Sequence, residues 1–475
     1  MSVRPVREHA VDWARARLTS GAFEAELATL VSHATESQRH GNTDALRAYL
    51  GDAVIPRLDR LGFECTVHDN PVPGAPPLLT AARIEQPGYT RVLGYAHGDV
   101  VNGQAEVWRA GLHPFRCARE GDRLYGRGVA DNKGQHLVNL TALEAVLQTR
   151  GSLGFNASLL FEMGEEVGSP GLDVFLRDNP QWLEADVLIA SDGPRLQPDT
   201  PTVFLGSRGC INFEIGVRLR DGAHHSGNWG GLLRDPAIVL ANAIASVCSA
   251  SGQIAVSGWQ ATSLTPSVRR ALADLPLALP DGPDIDEDWG DASLTPAERV
   301  FGWNAFAVLS LLSGSPDAPQ NAIAGEARAV CQLRFVVGTD PDAVLPALRA
   351  HLAEQGFTDV TVSACEGVRF DATRVDPDNP WVRVVTQSLE RTTGKTVHVL
   401  PNLGGSLPNA LFAGLPTVWI PHSYRGCSQH APNEHVPVSL LDEGLQMMSG
   451  LYYDIGSHEG PASLLRSRGA AASGR

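Results

Sequence analysis

The sequence predicts an α/β protein of two domains, a large domain with a mostly parallel sheet and a smaller domain inserted into it. The chain has 475 residues, which exceeds the size at which a single hydrophobic core keeps growing. Between about residues 61 and 205, short apolar runs alternate with helical patterns, which is typical of a parallel sheet covered by helices. After residue 207 the patterns follow a β-α-β-β-α-β order, which is typical of a ferredoxin-like sandwich.

The large domain begins with residues 7–60, which are predicted to form two amphipathic helices. The predicted strands that follow are RVLGYAHGD, ASLLFEMGEE and VLIASDGP, and GQHLVNLTALEAVLQTR has helical spacing between the first two. The α/β pattern returns after about residue 374 with the helix PWVRVVTQSLERTTG, the strands TVHVL and LPTVWI, and a helix from Ser439. The smaller domain therefore interrupts the larger one.

The inserted domain is predicted from alternating and helical patterns between residues 207 and 373. Its strands are INFEIGVRLR, WNAFAVLSLLSG, EARAVCQLRFVVG and DVTVSA, and its helices are DPAIVLANAIASVCSA and DAVLPALRAHLAEQG. An acidic, proline-rich loop is predicted at 275–298. The predicted division is thus 1–206 and 374–460 for the large domain, 207–373 for the insertion, and 461–475 for a disordered tail.

Composition excludes several classes of protein. With 38 basic and 53 acidic residues the net charge is −15, and no Lys/Arg cluster is dense enough to follow a phosphate backbone, so we expect no nucleic-acid partner. The 7 cysteines are scattered without a C-x-x-C pair, which argues against a disulfide framework or a thiolate zinc site and is typical of the cytoplasm. The sequence has neither a signal-like apolar segment at its start nor a run long enough to span a membrane.

Acidic residues and histidines follow the ends of the predicted strands. These residues are His97 and Asp99, Asp131, Glu165 and Glu166, and Asp192, and His430 lies in a later loop. Ligands of open α/β sheets bind at the carboxyl ends of the strands. Imidazole and carboxylate groups in this number suit two divalent cations that share a carboxylate and act in hydrolysis. Taken singly, each residue also fits a structural role, such as a helix N-cap for Asp131 or a turn for Asp192.

The motifs around these residues identify a family resemblance. GYAHGDVV is similar to an H-x-D block, LYGRGVADNKGQ to G-R-G-x-x-D-[DN]-K-G, EMGEEVGSPG to E-x-x-E-E-x-G-S, SDG to the following Asp block, and HAPNEH to a C-terminal His block. In this order they resemble the co-catalytic zinc peptidase and amidohydrolase family, which includes carnosinases, carboxypeptidase G, aminoacylase, acetylornithine deacetylase and succinyl-diaminopimelate desuccinylase. The resemblance covers about residues 30–455 and is greatest to bacterial dipeptidase and carnosinase-like members.

The resemblance implies a ligand set for two divalent metal ions. Asp131 would bridge the two ions, His97 and Asp192 would complete one site, and Glu166 and His430 would complete the other. Zinc is the expected metal, with manganese or cobalt as alternatives.

The same resemblance implies roles for two acidic residues beside the metals. Glu165 would be the general base that takes a proton from water and delivers it to the leaving amine. Asp99 would orient the imidazole of His97, a role expected of a carboxylate near a ligating histidine. The Asp131–Asn132 peptide bond would be cis, as the corresponding bond of the family tends to be.

The insertion 207–373 resembles the family's lid and dimerisation domain, which implies a homodimer. In HHSGNWGG, the residue expected to reach into the partner subunit's active site is His225. Asn321 and Arg334 stand at positions where carnosinase-like members contact substrate. Backbone donors for a substrate carboxylate are expected from Gly404, Gly405 and Ser406.

The sequence departs from the family pattern near this last block. Asn402 and Leu403 stand where Arg and Glu are common, and Ala324 stands where Pro is usual. The arginine fork that would bind a carboxylate with two hydrogen bonds is therefore missing at that position. This departure weakens the prediction of a carnosine-like dipeptide substrate.

The predicted function is metal-dependent hydrolysis of an amide or peptide bond in a small substrate. One alternative is a dipeptidase or carboxypeptidase-like exopeptidase for dipeptides or short peptides with a free carboxylate. A second alternative is an N-acyl amino acid deacylase. A third, a non-catalytic binding relative on the same fold, is disfavoured because Glu165 and all the expected metal ligands are present.

Overall fold

The structure, a computed structural model, describes residues 6–277, 283–405 and 407–457. The predicted tail 461–475 and part of the predicted loop 275–298 lie outside these residues. The strands are, in chain order, β1 (Glu64–His68), β2 (Leu78–Arg83), β3 (Arg91–His97), β4 (Ala118–Glu120), β5 (Arg123–Tyr125), β6 (Asn156–Glu162), β7 (Val187–Ala190), β8 (Pro194–Arg195), β9 (Thr202–Phe204), β10 (Gly209–Arg218), β11 (His224–His225), β12 (Ala305–Leu312), β13 (Ala322–Ile323), β14 (Glu326–Phe335), β15 (Val360–Phe370), β16 (His398–Leu400), β17 (Thr417–Trp419), β18 (Ser423–Tyr424) and β19 (His435–Pro437).

The α-helices alternate with these strands through much of the chain. They are α1 (Val6–Thr19), α2 (Ala22–Ser32), α3 (Thr43–Ala48), α4 (Ile55–Arg60), α5 (Lys133–Arg150), α6 (Leu172–Asp178), α7 (Ser226–Trp229), α8 (Pro236–Val247), α9 (Pro266–Leu272), α10 (Pro296–Phe301), α11 (Val344–Glu354), α12 (Pro380–Thr393) and α13 (Val438–Gly456). Among the helices of the described segments, none combines the length and the apolar character needed to cross a bilayer.

The chain divides into two compact units. The first takes its residues from Met1–Leu205, Val375–Leu400 and Leu411–Arg475, and the second from Gly206–Arg374 and Pro401–Ala410. The segment Pro401–Ala410, which the sequence analysis assigned to the large domain, therefore groups with the second unit.

The first unit is built on an eight-stranded mixed sheet with the order β1-β2-β6-β3-β7-β17-β9-β16. The four neighbours β6, β3, β7 and β17 run parallel to one another, whereas β1, β2 and β9 make antiparallel pairs. Strand β3 is buried at every residue after its first, as expected for a parallel strand that is covered on both faces. The carboxyl ends of three of these parallel strands carry the predicted site residues.

Long helices cover this sheet and pack on one another. The two principal ones, α5 and α13, contact each other and both contact α1, and α13 also contacts α12. A buried ion pair links α1 to α13, because Nε of Arg7 in α1 lies 2.9 Å from a carboxylate oxygen of Asp454 in α13. The other oxygen of Asp454 accepts a 2.7 Å hydrogen bond from Ser388 in α12.

The second unit has the predicted β-α-β-β-α-β order. Its antiparallel sheet has the order β12-β14-β10-β15, and helices α8 and α11 pack on it. Along β10, buried residues alternate with partly exposed ones, as expected for a sheet that is covered on one face only. This topology is that of the ferredoxin-like sandwich predicted from the sequence.

The N-terminal region differs from its prediction, because four helices form where two were expected. Gly21, with φ of 78°, separates α1 from α2 by adopting the left-handed conformation that glycine tolerates. Residues 33–42 form a non-helical connection before α3, and a π-helical segment, Tyr49–Val54, joins α3 to α4.

The buried ion pair generates a stability prediction. Asp454→Asn should lower the free energy of unfolding by about 3 kcal/mol, because the guanidinium of Arg7 loses its counter-charge in a buried site. Asp442→Asn is the matched control on the same helix, because Asp442 pairs with the half-exposed Arg15 and should lose less than about 1 kcal/mol. Urea denaturation of the two variants measures this difference, and equal losses would contradict the role assigned to burial.

Candidate metal centre

Three parallel strands place acidic residues and a histidine at one edge of the sheet of the first unit. Strand β3 ends at His97, β6 is followed by a short 3₁₀ turn at Glu165–Val167, and β7 is followed by Asp192. Because β6, β3 and β7 are adjacent and parallel, the residues after their carboxyl ends lie close together. The observed topology therefore places these predicted site residues near one another.

The first group of potential ligands consists of His97, Asp131 and Asp192, and all three residues are buried. Nε2 of His97 lies 3.1 Å from Oδ1 of Asp131 and 3.5 Å from Oδ2 of Asp192. One potential ligand atom from each residue lies within 4.8 Å of the others. Such a group of an imidazole and two carboxylates is sized for one cation.

The second group consists of Asp131, Glu166 and His430. Nε2 of His430 lies 3.0 Å from Oδ2 of Asp131 and 3.0 Å from Oε2 of Glu166. Asp131 therefore directs one carboxylate oxygen to each group, since its Oδ1 contacts His97. This is the geometry that a carboxylate shared by two cations requires.

The position of Asp131 is fixed by the start of α5. The peptide bond Asp131–Asn132 is cis, as the sequence analysis predicted. The side chain of Asn132 donates a 2.8 Å hydrogen bond to the carbonyl of Ser191, next to Asp192. A Cβ atom at Gly134 would lie 2.0 Å from the carbonyl oxygen of Val129, so only glycine permits the helix to begin this close to the preceding turn.

Asp99 connects the two sides of the site. Nδ1 of His97 lies 3.1 Å from the backbone oxygen of Asp99 and 3.4 Å from its carboxylate. The two carboxylate oxygens accept hydrogen bonds from the backbone N–H groups of Glu165 and Glu166, at 3.2 and 3.1 Å. Asp99 is therefore placed to orient His97, and it also holds the turn that carries both glutamates, a contact that the sequence analysis did not anticipate.

Glu165 belongs to neither group of potential ligands, although it is the neighbour of Glu166. Burial raises its pKa well above the ordinary value, and the charges of Asp192, Asp131 and Glu166 raise it further against the effect of His97. A carboxylate in this environment takes up a proton more readily than an exposed glutamate does.

The electrostatics of the site fit divalent cations. Burial and the charge of Asp131 raise the pKa of Glu166 to about 7. Hydrogen bonds to Asp131 and Glu166 raise the pKa of His430 to about 11, which shows that these carboxylates favour positive charge beside them. Burial lowers the pKa of His97, but its hydrogen bonds to Asp131 and other carboxylates outweigh that effect and raise it.

A buried carboxylate oxygen of Asp192 also indicates that cations suit this site. Oδ2 of Asp192 is buried, and Nε2 of His97, at 3.5 Å, lies only at the limit of hydrogen-bond distance from it. A buried carboxylate oxygen with so distant a donor is costly unless positive charge lies beside it. The residues present therefore suit two cations, with Asp131 between them.

The residues predicted to act from the lid belong to the second unit. His225 is exposed at the end of β11, and its Nδ1 accepts a 3.1 Å hydrogen bond from the backbone N–H of Gly227. Strand β11 pairs with β13, which sets His225 opposite Ala322, one residue after Asn321. The structure thus brings His225 and Asn321 together, as neighbours on a two-stranded ribbon.

Arg334 and the glycine block also belong to the second unit. Arg334 lies on β14, and its Nε donates a 3.1 Å hydrogen bond to the side chain of Gln332. Gly404 is partly exposed and Gly405 is exposed, and an added Cβ at Gly404 would meet nothing within 4 Å. Ser406 lies outside the described residues.

Asn402 and Leu403, the two departures from the family pattern, have structural partners. Asn402 is fully buried, and its Nδ2 donates a 2.6 Å hydrogen bond to the carbonyl of Phe301 at the end of α10. The backbone N–H of Leu403 donates to the carbonyl of Gly206 at 2.7 Å. These bonds attach the segment Pro401–Ala410 to the second unit.

One acidic residue of this region was not predicted from the sequence. Glu434, in the same loop as His430, is fully buried and accepts hydrogen bonds from the turn that ends at Asp131. The signal in the sequence was a glutamate in HAPNEH, four positions after the predicted ligand His430.

Comparisons with known proteins cover most of the chain. Residues 93–454 match the model of peptidase family M20/M25/M40. A cysteinylglycine-S-conjugate dipeptidase of Corynebacterium striatum is 26% identical over 398 residues, which cover 81% of this chain and 83% of that protein. A beta-Ala-His dipeptidase of Mus musculus is 25% identical over 418 residues, which cover 82% of each protein.

Solved structures match the fold over nearly the whole chain. A dipeptidase of Saccharomyces cerevisiae matches with a TM-score of 0.71 at 19% identity, covering 95% of this chain and 100% of that one. A metallo-carboxypeptidase of Sulfolobus solfataricus matches with a TM-score of 0.72 at 23% identity, covering 91% and 99%. The predicted α/β fold class is therefore confirmed.

The contact between Asn402 and Phe301 generates a prediction. Asn402→Asp replaces a buried donor by a carboxylate that faces a carbonyl oxygen, and should lower the free energy of unfolding by more than about 2 kcal/mol. Asn402→Leu, which leaves the carbonyl without a donor but adds no charge, should cost less. Thermal and urea unfolding measure both effects, and an Asp variant as stable as the parent protein would contradict the assigned hydrogen bond.

Proposed function

Because the chain belongs to peptidase family M20/M25/M40, we propose that it hydrolyses the peptide bond of small substrates, above all dipeptides with a free carboxylate. The family resemblance predicted from the motifs is confirmed by this membership. The observation that carries the proposal is the shared carboxylate of Asp131, which has one oxygen in each of two potential metal sites.

We propose that two divalent cations bind at this centre. His97 and Asp192 would hold one ion, and Glu166 and His430 would hold the other. Asp131 would contact both ions. Zinc is the proposed metal, because histidine and carboxylate ligands suit it, with manganese or cobalt as alternatives. When bound, the cations polarise the scissile carbonyl and lower the pKa of water toward neutrality.

Glu165 is the proposed general base. It lies next to a ligand residue but outside both ligand groups, so its carboxylate is available for proton transfer. It would accept a proton from the attacking water and donate it to the nitrogen of the leaving amine. The raised pKa of Glu165, caused first by burial, suits a group that must hold the proton between these two steps.

The proposed substrate contacts come from the second unit. His225 of one subunit would stabilise the negative charge that develops on the substrate carbonyl in the partner subunit. Arg334 and Asn321 would bind the substrate, and the backbone of Gly404 and Gly405 would approach its carboxylate. This last proposal is supported by the open space around Gly404, where the fold itself does not require a glycine.

The main alternative is an N-acyl amino acid deacylase. It draws support from Asn402, which is buried and bonded to Phe301, and so offers no substitute for the arginine that is common at this position. Assays of a dipeptide panel, including cysteinylglycine and beta-Ala-His, against N-acetyl amino acids would decide between the two, with zinc, manganese or cobalt supplied. Faster turnover of the N-acyl compounds would overturn the dipeptidase proposal.

A homodimer through the second unit is also proposed. Strand β12 lies at an edge of its sheet, and an exposed apolar strand at an edge favours pairing with another chain. The exposed apolar residues of this strand are Val308 (42%), Leu309 (52%), Leu311 (60%) and Leu312 (45%). A cytoplasmic location is proposed because none of the 7 cysteines, all of which lie in described residues, forms a disulfide.

The neighbouring glutamates generate a prediction about separate effects. Glu165→Gln should leave metal content unchanged and reduce kcat by about 1,000-fold, because the proton acceptor is lost while the ligands remain. Glu166→Gln should first weaken metal binding, since it removes an anionic ligand. Elemental analysis and steady-state kinetics check both variants, and near-normal turnover by the Glu165 variant would refute its role as the base.

The edge strand generates a prediction about assembly. Leu311→Lys should yield a monomer, because a charge at the centre of an apolar interface opposes pairing. Its activity should fall as well, because His225 acts in the partner subunit. Ile84→Lys is the matched control, since Ile84 is about as exposed (64%) as Leu311 (60%) but lies in the first unit. Light scattering after size-exclusion chromatography measures both, and a fully active dimer of the Leu311 variant would contradict the proposal.

A further inference from the structure

We propose that Glu434 is a positioning residue that holds Asp131 between the two metal sites, an inference that rests on the proposed function. Oε1 of Glu434 accepts hydrogen bonds from the backbone N–H groups of Gly128, Ala130 and Asp131, at 3.0, 2.9 and 3.2 Å. A single buried oxygen thus gathers three donors of the turn that leads into Asp131. The last of these donors belongs to the shared ligand residue itself.

The other oxygen of Glu434 is also occupied. Oε2 accepts a 2.8 Å hydrogen bond from Nη1 of Arg127, and each side chain of this ion pair is only 1% exposed. The guanidinium of Arg127 is held in turn by the carbonyl of Asn102, at 3.3 Å, and lies 5.9 Å from the ring centre of Trp108. Charge-assisted bonds on both oxygens fix the orientation of the carboxylate.

The turn depends on an acceptor at this position. The N–H groups of Gly128, Ala130 and Asp131 are buried with the loop, and a buried N–H group without an acceptor is costly. Gly128 has φ of 91°, in the left-handed region, which lets the chain turn its N–H groups toward one point. The carboxylate of Glu434 therefore holds this turn in its observed conformation.

Glu434 also sets Asp131 relative to the other ligand loop. Its backbone oxygen accepts a 3.0 Å hydrogen bond from the N–H of Gly126, and β19 then pairs with β5 with His435 opposite Tyr125. His430, which contacts Oδ2 of Asp131 at 3.0 Å, comes from the same loop as Glu434. One residue thus links the two chain segments that must meet at the shared carboxylate.

A positioning role and a general stabilising role predict different results. Any buried ion pair stabilises the fold, so loss of stability alone does not distinguish them. Because Asp131 belongs to both ligand groups, displacement of its carboxylate should weaken both metal-binding events together. Replacing a residue that hydrogen-bonds to a metal ligand typically lowers metal affinity or activity by about 10- to 100-fold.

The test is calorimetric titration of metal-free protein with Zn²⁺, and then Mn²⁺, for the parent protein, Glu434→Gln and Asp454→Asn. Glutamine keeps the size of Glu434, but in either orientation its NH₂ group faces a donor, either the N–H groups of the turn or the guanidinium of Arg127. We expect both binding events of the Glu434 variant to weaken by about 10- to 100-fold. The Asp454 variant, which loses a buried ion pair elsewhere in the same unit, should be less stable yet bind both ions as tightly as the parent.

The outcomes separate the two proposals. If the parent protein binds two ions and the Glu434 variant binds them equally well, the positioning role is overturned while the metal centre stands. If the Asp454 variant loses as much affinity as the Glu434 variant, the positioning role is likewise overturned, because the effect follows stability alone. If the parent protein binds no ion, the metal centre itself fails and the inference fails with it. If Glu434→Gln does not fold, the double variant Arg127→Met/Glu434→Gln replaces it, because this variant no longer buries the unpaired guanidinium of Arg127. Its two metal affinities are compared with those of the parent protein in the same way.

Discussion

The carboxylate of Asp131 has one oxygen 3.1 Å from Nε2 of His97 and the other 3.0 Å from Nε2 of His430, and much of the first unit serves to maintain this double contact. His97 reaches it from the end of a parallel strand, whereas His430 lies in a loop 299 residues after Asp131. Helix α5 begins two residues after Asp131, so a shift of the helix moves the carboxylate. The two groups of potential ligands bring together three carboxylates and two imidazoles, an arrangement in which repulsion between the carboxylates favours bound positive charge.

The supporting contacts act mainly through the backbone. The carboxylate of Asp99 accepts hydrogen bonds from the N–H groups of Glu165 and Glu166, and so fixes the turn that carries the proposed base and the proposed ligand. Glu434 does the same for the turn before Asp131. In both cases a buried acid orders a short turn by accepting hydrogen bonds from its backbone N–H groups. These bonds fix the positions of the proposed ligands, which favours tight and specific metal binding.

The sequence predicted the features that have a local pattern. Apolar runs followed by His97, Glu165 and Asp192 predicted the parallel strands and the edge that carries the proposed site, and alternating residues such as those of β10 predicted the ferredoxin-like unit. Features that depend on contacts between residues far apart along the chain were not predicted. The bonds of Glu434 join residues more than 300 positions apart, and the segment Pro401–Ala410 groups with the second unit through bonds such as that from Leu403 to Gly206. The division of residues 7–60 was missed because Gly21 interrupts what is otherwise a continuous helical pattern.

The central claim is that Asp131 bridges two metal ions, and anomalous diffraction from crystals grown with zinc tests it most directly. Data collected on either side of the zinc absorption edge should reveal two peaks about 3.5–4 Å apart, each beside a different oxygen of Asp131. His97 and Asp192 should contact one peak, and Glu166 and His430 the other. A single peak, or two peaks that do not both contact Asp131, would contradict the account.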